Sequence, residues 1–383
     1  MVSDPNEVRR IWSVGSGYMR SPWYNGFRFD PRHDNVISIN ENDEHARLRR
    51  KLLPGYSGKG MTSQEELIDT HLVKFIDLLE RKYISDRTGL RPLDMTKSFQ
   101  YLTQDVISAV EFSEPFGYIE ADADKYGVIE ALETNLRSLQ MLSMMPTLLA
   151  IFTSSIFKPM LPKPTDKHGV GRLLGIINER VEQRYKDKSS HKPDVLQSFV
   201  ESGLTRDEVE SEALVHLLGG SDTTAMAIRM IIFYLATSPA ACRTLQDEID
   251  AAAAKGIHRP IVADEEAKQL PYLAACIKEA TRLWPPIMGL MPKMSKKDDV
   301  ICGLKVPAGT NVAWGAMALM RDKELFGVDA DVFEPTRWLT AEPERLKKME
   351  ACQSLVFASG TRWECLGKRL AHVEMGKVIF EVS

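Results

Sequence analysis

Apolar residues recur along most of this chain at the three- and four-residue spacing of helices. Ile68, Leu72, Phe75 and Leu79 form one such stripe. Its start is marked by Ser63 with Glu66 three residues on, a reciprocal pair that satisfies two orphan amides of a first turn. A second pair, Thr205 with Glu208, opens an apolar-rich segment that runs to Pro239. That is about 34 residues, or roughly 50 Å of helix at 1.5 Å per residue, enough to cross most of a domain. Residues 239–256 and 270–286 predict two more helices, the first stopped by Gly256 and the second by Pro285 and Pro286. The period changes in "VICGLKVPAGTNVAW" (300–314), which alternates around Gly303 and a Pro-Ala-Gly turn and predicts hairpin strands. No repeat, low-complexity run or clean linker interrupts the pattern. It predicts one mainly α domain with a small β-sheet, α+β in class, over residues 1–383.

The longest apolar-rich stretch, "LSMMPTLLAIFTSSIFKPML" (142–161), is broken by Pro146 and Pro159 and diluted by Ser and Thr. It is too interrupted to span a bilayer, and burial in the core is favoured over dipping into a membrane surface. The opening "MVSDPNEVRRIW" has no apolar signal-peptide core. Composition alters this picture little. With 44% hydrophobic and 27% charged residues the chain is an ordinary globular one, and its net charge of -4 offers no basic field for nucleic acid. Its cysteines are Cys242, Cys276, Cys302, Cys352 and Cys365, an odd and scattered set without a C-x-x-C pair. A disulfide framework and a structural zinc site are both disfavoured, and a reducing compartment is favoured.

Two stretches carry candidate chemistry. Inside the long helix, Gly219 and Gly220 precede Ser221, Asp222, Thr223 and Thr224. Adjacent glycines in a helix interior cost about 1 kcal/mol each relative to alanine, and neighbouring Ser or Thr can bond local carbonyls and bend the helix. Either a flat, bulky group approaches the backbone here and meets an acid and an alcohol, or two helices pack closely. The second stretch is "VFASGTRWECLGKRLA" (356–371), which sets Cys365 just ahead of a helix start beside Arg362, Lys368 and Arg369. Amide N–H groups and cations favour a thiolate there, and Gly360 and Gly367 let the backbone pass close to a large planar partner.

Four segments in order carry a family resemblance: "GGSDTT"; "KEATR", with Glu279 and Arg282; "FEPTRW", with Phe333, Pro335 and Arg337; and "CLGKRLA". Over nearly its whole length the chain resembles the cytochrome P-450 haem-thiolate monooxygenases. The phrasing of "RWECLGK" and "EHARLRRKLLPGYSGKG" is most similar to fungal microsomal, pisatin-demethylase-like members. The resemblance implies heme b ligated axially by Cys365, with His45 and Arg49 meeting a propionate and Gly219, Gly220, Arg362 and Gly367 around the cofactor. It implies that Asp222 and Thr223, an acid and a hydroxyl on one helical face, relay protons to bound O2. Glu279, Arg282 and Arg337 then form a structural ion-pair cluster behind the haem. Electrons are expected from NADPH through a cytochrome P-450 reductase, docking on Arg47, Arg50, Lys51, Lys368 and Arg369. An endoplasmic reticulum location with peripheral membrane contact follows from the same resemblance.

Leu217, Leu218, Ile287, Met288, Leu290 and Met291 suggest a pocket for a lipophilic substrate of secondary metabolism, although core packing explains the same residues. One departure stands out. The family pattern is F-x-x-G-x-R-x-C-x-G, and Phe357, Gly360 and Arg362 each lie one residue too far from Cys365. Thr361 and Trp363 occupy the glycine and arginine positions, so the loop carries an extra residue or Arg362 acts from a shifted register. Compared with the family, residues 1–383 are expected to lack the N-terminal anchor and first strands and the C-terminal strands. A stunted sheet, poor solubility and weak haem retention are expected. Two alternatives share the fold: a haem-binding relic without turnover, and a reductase-independent lyase or isomerase.

Overall fold

The computed structural model describes residues 1–30, 32–59, 63–154, 156–157, 161–186, 192–256 and 260–383. Its frame is a central helix, Arg206–Thr237, of 32 residues. The predicted cap forms in full: Thr205 accepts from the Glu208 amide, and the Glu208 carboxylate accepts from the Thr205 amide. At the other predicted cap, Ser63 accepts from the Glu66 amide at 3.3 Å and starts helix Gln64–Lys82.

Every residue of the central helix from Val209 to Leu218 is buried, polar ones included. A helix covered on all sides belongs in the middle of a domain. Its main partner is helix Met95–Phe112, itself buried at every position from Ser98 onward. Helices Gly169–Lys186, Pro271–Leu283 and Lys368–Val382 pack around the same axis. One apolar core runs from Val36 and Leu48 through Leu217 to Phe380, and a second gathers Trp12, Trp314, Phe326 and Trp338.

The strands are few. β1 (Tyr18–Arg20), β2 (Lys293–Ser295) and β5 (Asn311–Val312) form an antiparallel sheet in the order β1-β2-β5. β3 (Asp299–Ile301) and β4 (Leu304–Val306) form a separate hairpin, turned by Cys302 and Gly303, both at positive φ. Two positive φ values in a two-residue turn match the right-handed strand twist. The hairpin expected over 300–314 is therefore two pairings. A turn at Gly309, whose amide donates to Ser295 at 2.8 Å, sends β5 away from β4 to β2. The mainly helical class with a small sheet is as the sequence predicted.

Core burial of the 142–161 stretch does not hold. Met144, Met145, Ile151, Phe152 and Ile156 are all exposed, as is Met141 just before them. Helices Val128–Ser143 and Pro146–Phe152 meet at a break before Pro146, and the second rests on the molecule through the buried Leu149. One anchoring side chain cannot cover two turns of apolar surface, so most of it faces out. Residues 155 and 158–160 lie outside the described ones. No single described helix is long and apolar enough to cross a membrane.

Candidate active site

The loop before Cys365 is closed by the cysteine's own amide, which donates to the Phe357 carbonyl at 2.9 Å. Ala358 and Gly360 adopt left-handed backbone, and Thr361 bridges to Ser13. Gly367 then caps helix Lys368–Val382. The amides of Gly367 and Lys368 reach the Cys365 sulfur and, with Arg49, favour its thiolate, but burial outweighs them and holds the thiol pKa up. Yet the side chain is open to solvent. A sulfur surrounded by protein and still wetted stands at the wall of a recess. A Cβ added at Gly360 or Gly367 would meet nothing within 4 Å, so the recess continues beside both. Among the described residues no three His, Cys, Asp or Glu side chains gather as a metal site. Cys365 therefore suits a metal that brings its other ligands with it.

Facing this loop is an unusual group of cations. His45, on helix Asn42–Ser57, is buried with its Nδ1 unpartnered. Burial, then Arg20, Arg49, Lys293 and Arg362, push its pKa down to about 3. Arg49 donates to the Glu364 carbonyl at 2.5 Å, next to the cysteine. Lys293 is fully buried, donates to the Tyr24 hydroxyl at 2.5 Å and lies 4.1 Å over the Trp363 ring. Among the described residues none of these four cations has a carboxylate within ion-pairing distance. Burial drives the Lys293 pKa well down and that of Arg20 to about 10. Unpaired buried cations are costly and mark a place for an anion. An anionic group lying beside Cys365 would complete the set. His45, Arg49 and Arg362 were legible in the sequence. Arg20, Tyr24 and Lys293 were not, and Lys293 showed only as a charge out of pattern in "LMPKMS".

His45 makes a pH prediction. Its folded pKa lies below the ordinary value, so below about pH 6.5 the unfolded chain takes a proton that the folded chain refuses until about pH 3. Without a bound anion, stability should fall by about 1.4 kcal/mol per pH unit from this group as pH drops through that window. Glu212 and Glu374, both raised to about 8 by burial, act in the opposite sense. The check is thus a difference: urea midpoints against pH for the wild type and for His45→Gln. Identical slopes in the two proteins would refute the assignment.

The two readings of the glycine pair each hold at one glycine. Gly219 faces open space, with nothing within 4 Å of an added Cβ, although Leu218 before it is buried. Gly220 faces Ile107 of helix Met95–Phe112, whose Cδ1 stands 2.5 Å from such a Cβ, so close helix packing explains it. Thr223 donates its Oγ1 hydrogen to the Gly219 carbonyl at 2.8 Å and so borders the open side. Asp222 does not share that face. Consecutive helical residues point about 100° apart, and its Oδ1 accepts from Gln100 Nε2 of the neighbouring helix at 2.8 Å.

Of the suggested pocket residues, Leu217 and Leu218 are core. Ile287 and Met288 are exposed, and Met291 is half-buried at positive φ. The expected ion cluster is present: Glu279 binds Arg282 at 2.8 Å and Arg337 at 2.9 Å, all buried. The basic residues lie on two helices, Arg47, Arg50 and Lys51 midway along Asn42–Ser57 and Lys368 and Arg369 at the start of Lys368–Val382, which meet where Arg369 donates to the Ser57 carbonyl at 3.2 Å. Arg47 and Lys368 are partly neutralised there by Glu208 and Glu364.

A cysteine at a helix N-terminus beside cations that lack carboxylate partners is the arrangement a haem-thiolate protein needs. The chain belongs to the cytochrome P450 family, whose model, Cytochrome P450, matches residues 1–382. It is 38% identical to Cytochrome P450 monooxygenase ABA1 of Pyricularia oryzae, an alignment covering 100% of this chain and 76% of that protein. Cytochrome P450 monooxygenase abl1 of Leptosphaeria maculans is 35% identical over 99% of this chain and 67% of its own length. A cytochrome P450 monooxygenase of Aspergillus terreus is 30% identical over 99% of the chain and 78% of its own length. The protein is an oxidoreductase that incorporates molecular oxygen, with haem held by a cysteine thiolate, and it takes a substrate, O2 and a redox partner.

Proposed function

We propose that this protein inserts one atom of O2 into a lipophilic small molecule of secondary metabolism, with Cys365 as the axial iron ligand. The observation that carries the assignment is the set of cations without carboxylate partners around the orphaned His45, Arg20 and Lys293 buried and Arg49 and Arg362 half-buried, beside a cysteine at a helix start. His45, Arg20, Arg49 and Lys293, with Arg362 alongside, would hold the carboxylates of the haem. When bound, the haem supplies oxygen activation, to which thiolate donation contributes. Gly219 keeps the central helix clear of the oxygen site. Thr223 holds a proton at Oγ1 on that side, and Asp222 exchanges protons with solvent and passes them on.

Electrons come from NADPH through a flavoprotein reductase that docks on the basic residues Arg47, Arg50, Lys51, Lys368 and Arg369 of these two helices. The exposed apolar face from Met141 to Ile156 rests on a lipid surface, which fits the cytosolic side of the endoplasmic reticulum. The monooxygenase relatives and the intact Asp222-Thr223 pair leave the lyase and relic alternatives unfavoured. The test is turnover of the haem-loaded protein with reductase, NADPH and isotopically labelled O2. One labelled oxygen in the product is expected. Conversion without NADPH, or label only in water, would reject the reading.

A further inference from the structure

Asp222 is held from an unexpected direction. Helix Met95–Phe112 buries two glutamines one turn apart, Gln100 and Gln104, among otherwise mostly apolar contacts with the central helix. A carboxamide is costly to bury unless it is hydrogen-bonded. Gln104 Nε2 donates to Ser221 Oγ at 3.0 Å, and Gln100 Nε2 donates to Asp222 Oδ1 at 2.8 Å. The two glutamines therefore grip the two residues that follow the glycine pair, immediately before Thr223. Gln100 differs from Gln104 in one respect: its Oε1 is buried without a partner.

An amide beside a carboxyl group has two usable orientations. With the carboxylate ionised, the amide N–H donates, as observed. When Asp222 carries a proton, its O–H becomes a donor, and the amide can turn over to present Oε1, the atom now unpartnered. A leucine in this place would favour the neutral acid by desolvation, and a lysine would hold the charge. Glutamine serves both states.

The charged surroundings of Asp222 are sparse. On its own helix Arg229 acts on Asp222, but its guanidinium is tethered to the Thr96 carbonyl at 3.0 Å rather than ion-paired to the acid. Glu133 from helix Val128–Ser143 and Asp94 at the cap of helix Met95–Phe112 act in turn on Arg229.

We propose that Gln100 is a positioning residue for proton delivery: it keeps Asp222 turned toward the neighbouring helix while ionised, and retains it through the other face of its amide once protonated. This rests on the reading of Asp222 and Thr223 as the proton relay. The proton balance is simple. Asp222 takes a proton from solvent, holds it against Gln100 Oε1, releases it through solvent to the side that Thr223 borders, and returns to accepting the Gln100 N–H.

The test uses Gln100→Leu, Gln100→Glu and Asp222→Asn in the full chain. Infrared difference spectra of aspartate-labelled protein, with and without haem, follow the protonated carboxyl band against pH, and its loss in Asp222→Asn assigns it. Loss of a hydrogen bond to the charged form should carry the band to higher pH, by about one unit, in Gln100→Leu. Gln100→Glu should move it the same way, since two carboxyl groups in contact share a proton. Product formed per NADPH, measured against pH, should shift in parallel. A band at the wild-type position in both Gln100 variants overturns the proposal. If the band moves but Asp222→Asn leaves coupling unchanged, the relay reading has failed, and with it the catalytic meaning of Gln100.

Discussion

Glu279→Ala should yield a chain that does not fold. Glu279 is fully buried and receives Arg282 through two bonds of 2.8 Å, Arg337 Nε at 2.9 Å, Trp338 Nε1 at 2.9 Å and the Glu334 amide at 3.1 Å. Arg282 spends its other hydrogens on the Met320 and Ala330 carbonyls, whereas Arg337 divides its own between the Phe326 carbonyl and the Asp329 carboxylate at 3.2 Å. Each binds segments far apart in the chain, so neither side chain can withdraw to water without unpicking the fold. Removing the acid leaves two buried cations with part of their charge uncompensated. Breaking such a pair costs about 3–5 kcal/mol, against a total of about 5–15 kcal/mol for a whole protein. Glu279→Gln keeps the shape and loses the charge, and should fall between. Soluble yield and urea unfolding of the haem-free chain measure this. A Glu279→Ala protein with a wild-type midpoint would show that the cluster is not what holds the 320–338 segment.

Thr223→Ala should leave the protein folded and uncouple it. The change removes one hydroxyl, bonded to the Gly219 carbonyl, from a partly open position. Alanine is the better helix former by about 0.5 kcal/mol, so stability should hold or rise slightly. What disappears is the hydroxyl proposed as proton donor, and one positioned donor contributes roughly 10²- to 10⁴-fold. NADPH consumption should continue while peroxide replaces product. Thr223→Ser should restore much of the coupling. Equal product per NADPH in wild type and Thr223→Ala would remove Thr223 from the relay.

What the sequence made legible follows from the range of each interaction. The central helix announced itself through a cap three residues wide and a long periodic run, both local. Glu279 and Arg282 stand one turn apart, and the cysteine loop is contiguous, so their spacing was visible. Lys293 and Tyr24 lie 269 residues apart, and no local pattern foretells that their side chains meet. Arg20 sits on a three-residue strand, and Gln100 lies in a helix where a polar residue reads as surface. The two glycines looked alike because a sequence does not say which side of a helix is open. The stretch at 142–156 misled for a related reason: apolar content predicts burial only where a partner surface exists, and here Leu149 alone anchors helix Pro146–Phe152.

The central claim is that Cys365 binds the haem iron as a thiolate. Its most direct test is the difference spectrum of the reduced, haem-loaded protein on binding carbon monoxide, for the wild type, Cys365→Ser and Cys352→Ser. Cys352 is buried, donates toward the Leu319 carbonyl and serves as the control for loss of a thiol elsewhere. The account predicts the long-wavelength Soret band from which the family takes its name in the wild type and in Cys352→Ser, and its disappearance in Cys365→Ser. The short-wavelength band of a neutral axial ligand in the wild type, or an unchanged long-wavelength band in Cys365→Ser, would contradict it.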